Sequence, residues 1–574
     1  MSSRWIQTFE GRIAWFTIIS LAATGIVEVV MAFLIYKVAG KLRYMGYRSA
    51  MLGPDGLYPG YRLMILGVCG ALTFLFTFYA LIHKYMSYVR MLERAMRDIA
   101  NGNLDQEISS LVYDSRKVEK DAMFVCVKGA AVDGHAFAKE VVEKGASVLV
   151  VSEDVEVGAD ATVIKVADTR EALAYLAAAY FDHPADTLKV IGITGTKGKT
   201  TTTYMVKSIM ENAGFKVGLI GTIEAIIGDE KIPANNTTPE SYVVQEYFRK
   251  MLDAGCDYAV MEVSSQGLMM HRVDGFTFDV GIFTNIEPDH IGPNEHASFE
   301  EYLQCKSLLF QKCRLGIVNA DDAHVEAILK NHTCQVQTYG FSENADIRAT
   351  DMKLVRKGGH LGVAYHVSGL LEGDIETSVP GRFSVYNSLT AVAICNHYGV
   401  DMEVMKKALL NASVKGRIEL VHVSDDFTLM IDYAHNAMSL ESLLTTLKEY
   451  EPGRLVCLFG CGGNRSKLRR YEMGEVSGKL ADLTIITSDN PRFEEPQAII
   501  DDIKTGIGKT DGKYIEIIDR KEAIRYAISH GQPGDIIVLA GKGHEDYQEI
   551  KGKKYPMDER VLIAEVLEEL GWTK

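Results

Sequence analysis

Two long apolar runs stand apart from the rest of this chain. Ile13 to Tyr36 spans 24 residues with a single charge, Glu28, and Leu63 to Ile82 spans 20 residues with none. Each is long enough to cross a hydrocarbon core of about 30 Å as a helix. The pattern therefore predicts a two-helix transmembrane hairpin over residues 1–83. The first run is too long for the core of a signal peptide, and a second span follows it. Residues 84–108 read as a charged amphipathic linker helix ending near Asn101-Gly102.

From about residue 109 the pattern changes to short apolar strands alternating with helical stretches, which predicts α/β architecture. Strands are expected at Met123–Val127, Ser147–Ser152, Leu188–Thr194, Asp257–Met261, Val280–Thr284, Leu455–Phe459, Leu483–Thr487 and Ile536–Ala540. A helix is expected around Ala136–Lys144. The changes of pattern divide the body into 109–185, 186–414 and 415–574.

Charge settles the hairpin's orientation poorly. Lys37, Lys41, Arg43 and Arg48 pull the loop towards the cytoplasm, while Lys84, Arg90, Arg94 and Arg97 pull the far side the same way. Residues 83 onward are placed on the cytoplasmic side, which leaves the loop between the spans as a basic external one. Glu28 in mid-membrane is a functional candidate or a contact with a neighbouring helix.

The composition of the whole chain is globular, 47% hydrophobic and 24% charged. The formal net charge of -15 argues against nucleic acid as a partner, since a phosphate backbone needs clustered cations. Nine scattered cysteines without a C-x-x-C pair suit neither a zinc ribbon nor a disulfide framework, and fit a reducing compartment.

The chemistry concentrates first at Val190–Thr201. An apolar strand there runs into Gly195-Thr196-Lys197-Gly198-Lys199-Thr200-Thr201, a tight glycine turn and a helix start. Backbone N–H groups and the helix N-terminus can cradle phosphates, Lys199 can reach the outer ones, and Thr200 can ligate Mg²⁺. Gly192 is one residue too far from Gly198 for the GxxxxGKT spacing, so the loop is a tighter variant. Alone, Glu262 would be an ordinary carboxylate at a strand end, His290 a turn histidine and Lys306 a solvent-facing helix lysine.

With this loop as its start, the sequence resembles the Mur ligases, which add amino acids to the peptidoglycan precursor. The resemblance covers about 465 residues in ordered segments: 113–116 (YDSR), 236–240 (NTTPE), 261–268 (MEVSSQGL), 284–292 (TNIEPDHIG), 319–322 (NADD), 386–393 (YNSLTAVA), 415–419 (KGRIE), 431–435 (IDYAH), 459–465 (FGCGGNR), 487–492 (TSDNPR) and 540–548 (AGKGHEDYQ). It implies a three-domain body: an N-terminal domain binding a UDP-sugar, a central ATPase-like domain and a C-terminal Rossmann-like domain. Two transmembrane helices would precede it, which the family pattern does not explain.

The resemblance also assigns roles. Thr200, Glu262, His290 and Lys306, the last as a CO₂-derived carbamate, would hold two Mg²⁺ ions. Asn387, Arg417 and Asp432 would contact ATP together with the loop. His435, in the same segment as Asp432, reads as a structural residue. Ser115, Asn236, Thr237, Thr238, Ser264 and Arg272 would hold the UDP-MurNAc-dipeptide. Met270 departs from the family pattern, which often has glutamine there.

Arg465, Asp489, Asn490, Pro491, Arg492, Gly541 and Glu545 would receive the incoming amino acid. A guanidinium at Arg492 for a distal carboxylate, with Glu545 for a distal ammonium, points to meso-diaminopimelate. Lysine or another amino acid is the rival acceptor, and a membrane-tethered sensor that binds wall precursors without catalysis is the rival class.

Overall fold

The computed structural model describes residues 108–572 except 130–131, 159–160, 290, 293–294 and 358–359, together with 52–53, 56–57, 68, 71–72 and 75. The two predicted membrane runs, Glu28, nearly all of the linker, and His290 lie outside the described residues. Among the described residues no helix is long and apolar enough to cross a membrane.

The chain divides into two compact units. One comprises the chain up to Val127 together with Asp133–Ala167, and the other Lys128–Val132 with Asp168–Lys574. The first holds a four-stranded parallel sheet in the order Leu111–Val112, Met123–Val125, Val148–Val151, Thr162–Lys165. The helix Ala138–Glu143 buries Val141 against Phe124 and Leu149. His135 is fixed in one tautomer, with Nε2 accepting from Ser152 N at 2.9 Å and Nδ1 donating to Asp133 at 2.6 Å.

The second unit contains two further sheets. An eleven-stranded sheet runs Glu230–Pro233, Glu224–Ile227, Val217–Ile220, Tyr258–Glu262, Lys189–Thr194, Phe278–Phe283, Cys313–Asn319, Gln335–Gly340, Ile347–Lys357, His360–Gly369, Gly373–Thr377. Its middle is parallel, from Val217–Ile220 to Gln335–Gly340. Such strands are buried on both faces and read as continuous apolar runs. In Lys189–Thr194, Ile191 and Ile193 enter one core with the helices Lys199–Asn212 and Arg382–His397, while Val190 enters the other with Ser241–Asp253.

A six-stranded sheet runs Glu419–Val421, Thr428–Asp432, Ile536–Ala540, Leu455–Phe459, Leu483–Ile486, Tyr514–Glu516, parallel except for its first strand. It is buried on both faces by the same alternation: Cys457 and Phe459 face one core, Val456 and Leu458 the other. Arg356 clamps the two sheets, donating to the carbonyls of Tyr450, Glu451 and Gly534 at 2.7–3.0 Å. Tyr450 Oη donates to Gly362 O and accepts from Gly381 N. In both sheets the chain leaves the carboxyl ends of the parallel strands into glycine-rich turns, where open α/β sheets bind ligands.

The predicted strands Leu455–Phe459 and Ile536–Ala540 match the observed bounds. Elsewhere the ends move by one or two residues, which matters at Tyr258–Glu262: Glu262 is the last residue of its strand and not the first beyond it.

Candidate active site

The turn after Lys189–Thr194 is locked by its neighbours. Gly195 and Gly198 have φ of +148° and +86°, which favours glycine. A Cβ on Gly195 would stand 2.0 Å from Thr284 Oγ1, and one on Gly198 2.4 Å from Asn387 Oδ1. Asn285 Oδ1 accepts from Lys197 N, and Thr284 Oγ1 donates to Lys197 O, at 2.9 and 2.8 Å. Thr196 Oγ1 accepts from Glu287 N at 3.0 Å and lies 3.0 Å from Tyr302 Oη. Lys199, Thr200 and Thr201 open the helix Lys199–Asn212. Lys199 Nζ lies back over the loop, donating to the Gly195 and Thr196 carbonyls at 2.8 and 3.1 Å. Burial lowers its pKa; nearby Glu262 opposes this, and the Arg417 charge adds to the lowering.

Glu262 is buried at its strand end, facing the first turn of that helix. Its Oε2 accepts from Thr200 Oγ1 and Thr222 Oγ1, both at 3.0 Å, and its Oε1 from Thr222 N at 2.8 Å. Gly221 leaves room for it, since a Cβ there would lie 2.6 Å from Oε1. Thr200 and Glu262 together are hard oxygen donors of the kind Mg²⁺ accepts. Among the described residues no three His, Cys, Asp or Glu side chains gather as a metal site.

Lys306, from the helix Phe299–Ser307, is buried and also donates to Gly195 O, at 2.9 Å. Its ammonium sits 4.6 Å over the Tyr302 ring. Burial pushes its pKa well below the lysine range and the charge of Lys199 pushes the same way, with Asp289 opposing. The ordinary reading of a solvent-facing helix lysine is thereby excluded.

The residues assigned to the dipeptide substrate fall into two sets. Thr238 Oγ1 donates to Glu262 O and accepts from Ser264 N, at 3.0 and 2.9 Å. Thr237 Oγ1 lies 3.1 Å from Thr222 Oγ1. Arg272 donates to Thr238 O at 3.1 Å and to Glu240 at 2.6 Å, while its Nε is buried without a hydrogen-bond partner among the described residues. Asn236 is exposed beside this group, and Met270 caps the short helix Ser265–Met269. Ser115 belongs to the other unit, where its carbonyl accepts from Lys144 Nζ.

Asp432 ends its strand with both oxygens on main-chain amides, those of Ile418 and Ala434, each at 2.8 Å. It thereby ties down the 415–419 turn and places the Arg417 guanidinium 4.9 Å over the Tyr433 ring. Burial raises the Asp432 pKa, and Arg417 opposes this. His435 is exposed, its Nδ1 2.8 Å from Tyr433 O, and it lines the cleft beside Tyr433.

A cleft of about 310 Å³ opens at the carboxyl ends of the six-stranded sheet, lined by Arg465, Arg469, Arg470, Asp489, Asn490, Arg492, Gly541 and Glu545 among others. Arg492 has φ +52° and donates to Glu549 Oε2 at 3.0 Å and Gly463 O at 2.7 Å. Gly463 lets the 459–465 turn pack on Pro491, whose carbonyl a Cβ would meet at 1.9 Å. Gly541, with φ +104°, does the same for Asp489. Arg465 is exposed and makes no hydrogen bond or ion pair among the described residues. Arg470 is 1% exposed and anchors the cleft wall through Glu494, Asp502 and Gly462 O. Its hydrogen bonds hold the Glu494 carboxyl down to about 2.

Thr222, Arg470, Glu549 and above all Lys542 are assigned no role by the sequence, although Lys542 lies within the matched segment 540–548. Lys542 was legible in principle, as a lysine directly after an apolar strand and between Gly541 and Glu545.

Three family profiles match the chain: the Mur ligase family catalytic domain over residues 107–181, the Mur ligase middle domain over 193–395, and the Mur ligase glutamate ligase domain over 416–543. A UDP-N-acetylmuramoyl-L-alanyl-D-glutamate--2,6-diaminopimelate ligase of Clostridium acetobutylicum is 45% identical over 472 residues, 82% of this chain and 96% of the relative. The chain belongs to the Mur ligase family.

Another Mur ligase of the same description, from Caldanaerobacter subterraneus subsp. tengcongensis, is 42% identical over 84% of this chain and 99% of its own. Among solved Mur ligases, a UDP-N-acetylmuramoyl-L-alanyl-D-glutamate--2,6-diaminopimelate ligase superposes with a TM-score of 0.63 at 28% identity, covering 82% of this chain and 96% of that one. The matched middle-domain profile takes in the loop at 195–201 and Glu262, and the profile over 416–543 takes in Arg465, Asp489 and Arg492 of this Mur ligase.

Proposed function

We propose that this Mur ligase uses ATP to join meso-diaminopimelate to UDP-N-acetylmuramoyl-L-alanyl-D-glutamate. One observation carries the choice of amino acid: Arg465 and Arg492 share a cleft of about 310 Å³ with Asp489 and Glu545. Diaminopimelate has a carboxylate and an ammonium at each end, so its site needs paired charges of both signs. Guanidiniums match carboxylates bidentately, and a site built for them rejects an amine that lacks one.

The loop Gly195–Thr201 receives the ATP phosphates, with Lys199 leaving the Gly195 and Thr196 carbonyls to meet the outer ones. The glutamate carboxylate of the substrate attacks the γ-phosphorus and ADP departs, giving an acyl phosphate. The diaminopimelate amine, deprotonated, then attacks the acyl carbon and inorganic phosphate leaves with the C–O bond's electrons. Arg417 adds positive charge where the phosphates gather. Thr200 and Glu262, with His290, would hold Mg²⁺, which would supply charge neutralisation between the two anions. Asn387 and Asp432 would contact the rest of the nucleotide. Thr237, Thr238, Ser264 and Arg272, with Asn236 and Ser115, would hold the UDP-dipeptide. Carbamylation of Lys306 would convert a buried cation into a carboxylate-like ligand, and its neutral-leaning amine suits that reaction.

We also propose that residues 13–82 tether this body to the inner membrane with the catalytic part in the cytoplasm; their apolar lengths support this reading. Removing residues 1–83 should move the chain to the soluble fraction without changing turnover.

The ligase reading is tested by incubating the protein with ATP, Mg²⁺, bicarbonate, the UDP-dipeptide and diaminopimelate. Mass spectrometry should find the condensed UDP-tripeptide with ADP and phosphate in equal amounts. Binding of the UDP-dipeptide without product under these conditions would favour a precursor sensor.

A further inference from the structure

Behind Asn490 and Glu545 of the cleft wall lies a fully buried ammonium, Lys542, whose donors are all spent on the protein. Lys542 Nζ donates to Asn490 Oδ1 at 3.0 Å, to Glu545 Oε2 at 2.8 Å and to Tyr547 O. An ammonium has three N–H groups and no acceptor capacity, so nothing is left for a substrate. Lys542 is 0% exposed and stands 3.8 Å from Asp489 Oδ1. Its effect on an incoming amine must pass through the groups it holds.

Those groups are fixed asymmetrically. Asn490 Oδ1 also accepts from Glu549 N at 2.9 Å, so Asn490 must turn its Nδ2 the other way, where it donates to Glu545 Oε2 at 2.9 Å. Glu545 Oε2 thus receives two hydrogen bonds, one from an ammonium and one from an amide. Its other oxygen, Oε1, accepts none among the described residues, and Glu545 lines the cleft.

We infer that Lys542 is a positioning residue for the acceptor amino acid: it occupies Glu545 Oε2, sets the Asn490 amide, and so leaves Glu545 Oε1 as the one oxygen of that carboxylate offered to the acceptor's ammonium. The inference rests on the ligase reading above and adds a selectivity device to it. Without Lys542 the Asn490 amide oxygen is held by Glu549 N alone, the Glu545 carboxylate loses one of the two hydrogen bonds on its Oε2 and can rotate, and the ammonium meets a less ordered acceptor.

The test is steady-state kinetics of the full-length protein carrying Lys542→Met, Glu545→Gln, and both. Lys542→Met is expected to raise KM for diaminopimelate on the order of tenfold or more, the scale of one charged hydrogen bond. KM for ATP and for the UDP-dipeptide should stay within about twofold, because neither is assigned a contact with Lys542, Asn490 or Glu545. In the Glu545→Gln background the same change should have little further effect, since two residues that act through one group are not additive. Additive losses in the double variant, or equal rises in all three KM values, would overturn the inference and make Lys542 a general packing residue. Should Lys542→Met fail to fold, Lys542→Gln, which keeps two donors without the charge, carries the same comparison. A wild-type protein inactive with diaminopimelate sinks the ligase reading instead; an active wild type with an unaffected Lys542 variant sinks only this inference.

Discussion

Lys199 and Lys306 donate to the same main-chain oxygen, that of Gly195, at 2.8 and 2.9 Å. Two ammonium groups on one carbonyl repel each other, and burial removes the water that would screen them. Burial lowers both pKa values, with the charge of Lys199 adding to the lowering at Lys306 and that of Arg417 at Lys199, and Lys306 falls well below the lysine range. A neutral Lys306 amine can attack CO₂ and lose a proton to become a carbamate, which replaces repulsion of Lys199 by attraction.

This relationship predicts a bicarbonate requirement. Enzyme stripped of CO₂ should lose most of its activity and regain it on adding bicarbonate. The neutral amine is the reactive form, so recovery should be faster as pH rises through the lowered Lys306 pKa. Lys306→Ala should be nearly inactive and indifferent to bicarbonate. Full activity without CO₂ would remove the carbamate.

Gly221→Ala should disturb the metal without touching a ligand. Its Cβ would stand 2.6 Å from Glu262 Oε1, so the carboxylate must shift from Thr200 and Thr222. The Mg²⁺ concentration for half-maximal activity should rise severalfold while KM for diaminopimelate stays constant. An unchanged Mg²⁺ titration would mean that Glu262 is not a ligand.

Arg492→Ala should act on the acceptor alone. Hydrogen bonds to charged groups contribute about 1.5–3 kcal/mol each, so KM for diaminopimelate should rise roughly 10- to 100-fold. Preference over lysine should shrink by a similar factor. Equal losses with both amino acids would assign Arg492 to structure, through Glu549 and Gly463.

How far the sequence reached varied with the kind of residue. The strand–glycine–helix order placed the loop at 195–201 because local pattern alone dictates it. Glu262 and Lys306 were singled out by the family resemblance and not by local pattern, and their burial needed the fold. Their burial comes from strands and helices distant in sequence, and a lysine in a short helix gives no local sign of facing inward. Lys542 and Arg470 escaped notice for the same reason: each looks like a surface cation until Asn490, Glu545, Glu494 and Asp502 are brought around it. The membrane hairpin and His290 lie outside the described residues and are read from sequence alone.

His544 gives a pH prediction. Burial pushes its pKa down to about 4 and the Arg417 charge adds to this. The folded protein therefore keeps it neutral while the unfolded chain protonates near 6.5. The unfolded state binds the extra proton between these values, so stability falls as pH drops from about 6.5 to about 4. Thermal unfolding of His544→Phe should show a shallower loss across that window, provided the ring is accommodated. An identical pH slope in the variant would place the titration elsewhere.

The most direct test of the whole reading is the amino-acid panel. Purified full-length protein with ATP, Mg²⁺, bicarbonate and UDP-N-acetylmuramoyl-L-alanyl-D-glutamate is given meso-diaminopimelate or L-lysine, and phosphate release is followed. Release with diaminopimelate and little with lysine is the expected result. Turnover with lysine alone would contradict the assignment of Arg492 and Glu545, and with it the proposed substrate.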